Sequence, residues 1–187
     1  MTTTTLPPSR LMGWRFWQNF LPIPPLNQLK LGDRAPDFCL TQVQNQQPLR
    51  LSQYWGDRPV VLAFTRIFTE RHYCPLCFPH LVALQEAYPL IQAAGAELLL
   101  VTSTDLDQSR VVREDLGLTM PFLCDPYCQV FQQYRTGQAL GAPLPAQFVL
   151  DRYGRIRFWH QFSFLQTNAE PTRLFYALSS LPLKEAA

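Results

Sequence analysis

An uninterrupted apolar run, Val60-Val61-Leu62-Ala63-Phe64, follows Asp57-Arg58-Pro59, and a second apolar segment, Glu97 to Thr102, follows a helix-length interval. Short apolar runs bounded by turn residues suit strands buried on both faces, as in a parallel sheet covered by helices. Between the two runs Leu81, Leu84, Tyr88 and Ile91 recur at spacings of three, four and three, which marks one face of a helix closed by Gly95. Strand, helix and strand form a unit whose two strands should run parallel, joined by a right-handed crossover. Cys74-Pro75-Leu76-Cys77 falls where the first strand gives way to the helix.

The remaining elements extend this unit. Asp37 to Val43 and Pro48 to Leu51 flank Gln44-Asn45-Gln46-Gln47 as an N-terminal hairpin. A second helix is predicted over Leu106 to Leu116, stopped by Gly117, then an extended Pro121-Phe122-Leu123. Asp125 and Pro126 are expected to cap and open a helix running towards Gly137. Gln147 to Leu150 and Arg155 to Phe162 flank a turn at Asp151-Arg152-Tyr153-Gly154, and a closing helix spans about Glu170 to Leu181. In the second strand of that hairpin Ile156, Phe158, His160 and Phe162 alternate with polar or exposed positions, so His160 is expected as a satisfied core residue. The predicted class is α/β, a central mixed sheet flanked by helices, with an N-terminal hairpin and arm.

Residues 1–30 differ in character from residues 31–187, which form the domain. Thr2 to Thr5 and Pro7, Pro8, Pro22, Pro24 and Pro25 surround Trp14, Phe16, Trp17, Phe20 and Leu21, with Arg10 and Arg15 interleaved. Packing back on the domain is the default for such an arm, and residues 10–26 also suit a protein groove or a membrane surface. A net charge of +2 with scattered Lys and Arg argues against a nucleic-acid partner. No stretch approaches a membrane-spanning length and no export signal is visible, so the expected location is cytoplasmic, with peripheral membrane attachment as the alternative.

With 187 residues, the chain is long enough to build a core without disulfide staples, so its five cysteines point to redox or metal chemistry. Cys39, alone in a predicted strand, is expected to be a buried inert thiol. Cys74 at a helix start gains free N–H groups and the positive end of the helix dipole, with Arg71 and His72 as further sources of positive charge. It is the expected nucleophile. Cys77 lies within disulfide reach and is the expected resolving thiol. Cys124 and Cys128 form a second close pair.

These motifs resemble the peroxiredoxin-like (AhpC/TSA, redoxin) branch of the thioredoxin-fold superfamily. The resemblance rests on Gly32-Asp33-Arg34-Ala35-Pro36-Asp37-Phe38, Val60 to Phe64 leading to Tyr73-Cys74-Pro75-Leu76-Cys77, Pro121 to Pro126, and Pro145 to Gly154. It implies a thioredoxin-like fold and a thiol or disulfide protein as redox partner. It also implies that Pro145 is the cis-proline facing the active-site cysteine. The peroxiredoxin pattern has Thr three residues before its peroxidatic Cys, where this chain has Arg71. Its catalytic Arg is replaced by Pro145. Peroxidase activity is therefore expected to be weak or absent.

Two further readings stay open. Thioredoxin-like [2Fe-2S] ferredoxins resemble this arrangement of two cysteine pairs, which implies Cys74, Cys77, Cys124 and Cys128 as ligands of a [2Fe-2S] cluster, or of zinc. In the other, the fold is only a scaffold and the chain is a non-catalytic assembly factor that docks through its aromatic arm.

Overall fold

The computed structural model describes residues 13–26 and 28–181. Thr2 to Thr5, Pro7, Pro8 and Arg10 of the arm lie outside these residues.

The hairpin β1 (Cys39–Gln42) and β2 (Pro48–Arg50) forms as expected, and Gln46 takes the left-handed conformation in its turn. The first apolar run is β3 (Val60–Thr65), followed by a small hairpin of β4 (Ile67–Thr69) and β5 (His72–Tyr73), then α2 (Phe78–Ala93). Next come β6 (Glu97–Thr102), parallel to β3 with Val60 opposite Glu97, and α3 (Leu106–Asp115), which Asp105 caps by accepting from the Gln108 N–H. The chain continues through β7 (Phe122–Cys124), α4 (Gln129–Gln133), the two-residue strands β8 (Gln138–Ala139) and β9 (Ala142–Pro143), and β10 (Ala146–Leu150). It ends with β11 (Ile156–Gln161) and α5 (Pro171–Ser179).

The main sheet has the order β11-β10-β3-β6-β7-β1-β2, mixed in direction and covered on both faces. Val61, Ala63, Leu98 and Leu100 pack on α2, α3 and α5; Val60, Leu62, Phe64, Leu99 and Val101 face α4 and the chain before β1. This two-sided burial explains the unbroken apolar runs. Phe64 packs its ring 5.0 Å from Phe131 and 4.9 Å from Tyr134, which fixes the far end of β3.

Two local readings need correction. The helix opened by Asp125 and Pro126 is shorter and later: Cys128, in the left-handed conformation, precedes α4. Asp125 still caps it, but from a distance, its carboxylate accepting the N–H groups of Gln129, Val130 and Phe131. And β11 is an edge strand, so His160 is only half-buried, its Nε2 bonded to the Gln166 carbonyl at 2.9 Å.

The described part of the arm packs back on the domain. A short helix, α1 (Trp14–Gln18), precedes an Ile23–Gln138 bridge, and Arg15 reaches under the sheet end to donate to the carbonyls of Ile67 and Phe68 and to Ser103 Oγ. No helix among the described residues is long and apolar enough to cross a membrane.

Candidate active site

The site lies at the carboxyl ends of β3 and β6, where Thr65 pairs with Thr102 and Thr102 with Cys124. Cys74 sits in a turn just before α2, its carbonyl accepting from the N–H groups of Cys77 and Phe78 at 2.9 and 3.0 Å, and Cys77 is the residue from which α2 starts. Pro75 needs no amide partner there. Both thiols are free, with Cys74 at 6% exposure and Cys77 at 1%. Cys74 is the less buried of the two.

The two thiols differ sharply in acidity. Cys74 is lowered from about 9 to about 6, first because the Cys77 thiol donates a hydrogen bond to its sulfur. Burial opposes this, and the N–H groups of Leu76 and Cys77 and the charge of Arg66 reinforce it. Cys77 is raised, because that same bond keeps its proton in place and because it is buried beside a developing thiolate. Asn168 and the Arg66 backbone N–H partly counter that rise by donating to the Cys77 sulfur.

Arg66 was not among the expected residues. It follows directly on β3, is buried, and is held by donating to the Ala139 carbonyl while its guanidinium lies 4.7 Å over the Phe68 ring. Arg71 and His72 are exposed, and the His72 ring bonds Thr69 Oγ1 at 2.8 Å instead of facing the thiol. The cation beside Cys74 therefore arrives on the strand, not on the loop. A charged residue at the end of an unbroken apolar run was the available signal.

Pro145 lacks the expected cis geometry. No cis peptide bond occurs among the described residues, so Leu144–Pro145 is trans, as suits the extended path from β9 into β10, where a proline opens a strand without needing a donor. Cys39 is exposed, not buried, because its position on β1 points away from the core between Phe38 and Leu40.

The four paired cysteines share one end of the sheet but not one site. Cys124 packs with the α2 face and donates from Sγ to the Thr41 carbonyl at 3.4 Å; Cys128 packs with the opposite face. Burial raises Cys124, and burial followed by the Asp125 charge pushes Cys128 up to about 11. Among the described residues no three His, Cys, Asp or Glu side chains gather as metal ligands. Two thiols buried on opposite faces of the sheet do not present the convergent donor set of a [2Fe-2S] cluster or a closed zinc site.

Cys128 is instead covered by the arm. Asn19 donates to its sulfur at 3.6 Å, beside a cavity of about 230 Å³ lined in part by Ile23, Phe131 and Gln138. Gly141 permits this closure: its N–H donates to the Asn19 carbonyl, its φ is +86°, and a Cβ there would run into the Phe16 ring. Gly141→Ala is expected to lift α1, so that intact-mass analysis after alkylation finds Cys128 modified in the variant and protected in the parent.

The AhpC/TSA family profile matches residues 31–159. The chain belongs to the AhpC/TSA family. Thiol-disulfide oxidoreductase ResA of Geobacillus kaustophilus is 30% identical over 147 residues, 78% of this chain and 76% of its own. Peroxiredoxin 2 of Thermoplasma acidophilum is 30% identical over 129 residues, 65% and 61% of the two chains. The crystal structure of peroxidoxin BcpB from Mycobacterium tuberculosis superposes with a TM-score of 0.72 at 20% identity, covering 83% of this chain and 100% of that one. This AhpC/TSA protein thus has the thioredoxin-like fold, with a mixed sheet between helices, and a family-level redox character.

Proposed function

We propose that this AhpC/TSA protein exchanges disulfides through Cys74 and Cys77 and consumes peroxide poorly. The observation that carries this reading is the asymmetry of the pair: one thiol made acidic by its neighbour's hydrogen bond, the other kept protonated and deeper. Cys74 thiolate attacks one sulfur of a partner's disulfide and the other sulfur leaves as thiolate. Cys77 then gives up its proton and attacks the Cys74 sulfur. A Cys74–Cys77 disulfide forms, the second partner sulfur leaves, and two electrons have passed from the dithiol to the partner. The 30% identity to a protein named thiol-disulfide oxidoreductase supports the same direction. Peroxide reduction is disfavoured because Arg71 stands at the position of the family's Thr.

The pH profile tests it. In a Cys39→Ser background, iodoacetamide alkylation of Cys74 is expected to inflect near pH 6, as its lowered value requires. Linkage gives a second sign. The folded value lies below the unfolded one, so the thiolate's stabilisation is lost as pH falls from about 9 to about 6. The reduced protein should therefore gain thermal stability relative to Cys74→Ser as pH rises across that window. An alkylation inflection at the ordinary thiol value would sink the proposal.

A further inference from the structure

The arm turns its polar groups inward and its large apolar side chains outward. Trp14, Trp17 and Leu21 are exposed at 75%, 57% and 70%, and Phe20 and Ile23 are exposed beside them. Trp14 and Trp17, three residues apart on α1, share a side of the helix, and the Trp17 and Phe20 rings lie 5.7 Å apart. Leu140 extends the patch from the β8–β9 turn. It is 65% exposed and in the left-handed conformation, and its N–H donates to the Phe20 carbonyl at 3.1 Å. An exposed apolar surface of this kind marks an interaction site.

Two features say what meets it. The first is the backbone. Asn19, Phe20, Ile23 and Leu26 donate their N–H groups within the chain, and Pro22, Pro24 and Pro25 have none to leave unpaired. The carbonyls of Gln18, Asn19, Phe20, Leu21 and Ile23 accept from Gln138, Leu140 or Gly141. An irregular segment can enter an apolar medium only with its backbone satisfied internally, whereas strand addition in a protein groove needs free N–H and C=O groups. The second is charge. The chain has 14 Asp and Glu, yet none lies in residues 1–32 or 126–150, the two stretches that carry the patch. Asp125, just before the second stretch, is buried and spent on capping α4. Arg135 is exposed, and its carbonyl accepts the Leu26 N–H. The α2–α5 layer gives the contrast: Leu90 and Tyr176 are comparably exposed there, but Glu86 and Glu170 border the groove at Leu90.

We propose that the arm and the β8–β9 turn form a peripheral docking face for an anionic phospholipid bilayer, with Trp14, Trp17, Phe20, Leu21 and Leu140 in the interfacial layer and Arg135 at the headgroups. Tryptophan suits that layer because its ring is apolar while its indole N–H can reach a headgroup oxygen. Apolar burial and attraction to lipid charge act together in such binding. The face is already formed, so docking costs little further ordering. Arg15 ties the inner side of the same helix to Ile67, Phe68 and Ser103, so the face lies at the end of the sheet that carries Cys74. The docking does not depend on the dithiol reading.

Flotation of the full chain with lipid vesicles tests this. The chain is expected to float with equimolar phosphatidylglycerol and phosphatidylcholine, to float less with phosphatidylcholine alone, and to be partly released by salt. Replacing both tryptophans, Trp14→Ser with Trp17→Ser, should weaken partitioning by about tenfold or more. Arg135→Glu should weaken binding to the anionic vesicles by about tenfold and leave the weak binding to phosphatidylcholine as it was. Leu140→Ser should weaken both, and Leu90→Ser with Tyr176→Ser neither. Protection of Cys128 from alkylation reports that the arm is still seated, and Leu140→Ser and Arg135→Glu, both outside the arm, decide alone should it be lost. No flotation with anionic vesicles, equal binding to both vesicle types, or an equal loss in the Leu90 and Tyr176 control would each overturn the inference. So would a chain that ignores vesicles yet self-associates until Trp14 and Trp17 are replaced, since the face would then belong to a second copy.

Discussion

Cys74→Ser is expected to lower disulfide exchange by about 10³-fold or more, while Cys77→Ser is expected to stop the reaction after one half and trap the partner on Cys74. The two outcomes differ because the roles do. Cys74 supplies the attacking thiolate, and its low value depends first on the bond from Cys77. A serine at position 77 still offers an O–H to the Cys74 sulfur, so the nucleophile survives and the first half proceeds. What is lost is the second sulfur. The mixed disulfide then persists and appears on a non-reducing gel or as an added mass equal to the bound partner. Cys124→Ser and Cys128→Ser should leave both halves intact, since these buried thiols lie on opposite faces of the sheet and outside the Cys74 hydrogen bonds. Loss of exchange in either of those variants, with Cys74→Ser still active, would overturn the assignment of the centre.

The legible parts of this protein are those where a residue's own neighbours in sequence decide its surroundings. Val60 to Phe64 and Glu97 to Thr102 can be buried only between two layers of helices, and Leu81, Leu84, Tyr88 and Ile91 can be buried together only on a helix, so β3, α2 and β6 were readable. Cys74 and Cys77 were readable because a helix start follows them. The rest of the site arrives through space. Asn168 stands in a polar loop with no periodicity, and only the Gln147 amide in the otherwise apolar strand Ala146–Leu150 hints that something polar must face it. Cys124 and Cys128 are close in sequence, yet the left-handed turn at Cys128 and the strand at Cys124 send them to opposite faces. Spacing alone cannot show such a divergence. The arm combines both cases: its aromatic content was plain, but Trp14 and Trp17 face outward while Arg15 and Asn19 make the attachments, a polar anchoring that hydrophobicity does not signal.

Arg66→Met is expected to make Cys74 less reactive without destabilising the protein. The guanidinium is buried at the end of β3, and its Nε has no hydrogen-bond partner among the described residues, so the folded chain carries a desolvation cost there. Burial accordingly lowers the Arg66 value, opposed by the nearby Cys74 and Cys77 charges. Methionine matches much of the stem, keeps contact with Phe68 and removes the buried charge, so the melting temperature should hold or rise. Cys74 loses one of its stabilising charges, and its alkylation inflection should move up by about one unit, which slows reaction roughly fivefold at pH 6. The sign follows from the thiolate being the charged form: removing a cation always disfavours it. Arg71→Met is the control, because its exposed guanidinium contributes nothing to the lowering of Cys74. If Arg71→Met moves the inflection and Arg66→Met does not, the loop and not the strand supplies the charge. An Arg66→Met protein that melts well below the parent while keeping its inflection would mean that the buried cation serves the fold and not the thiol.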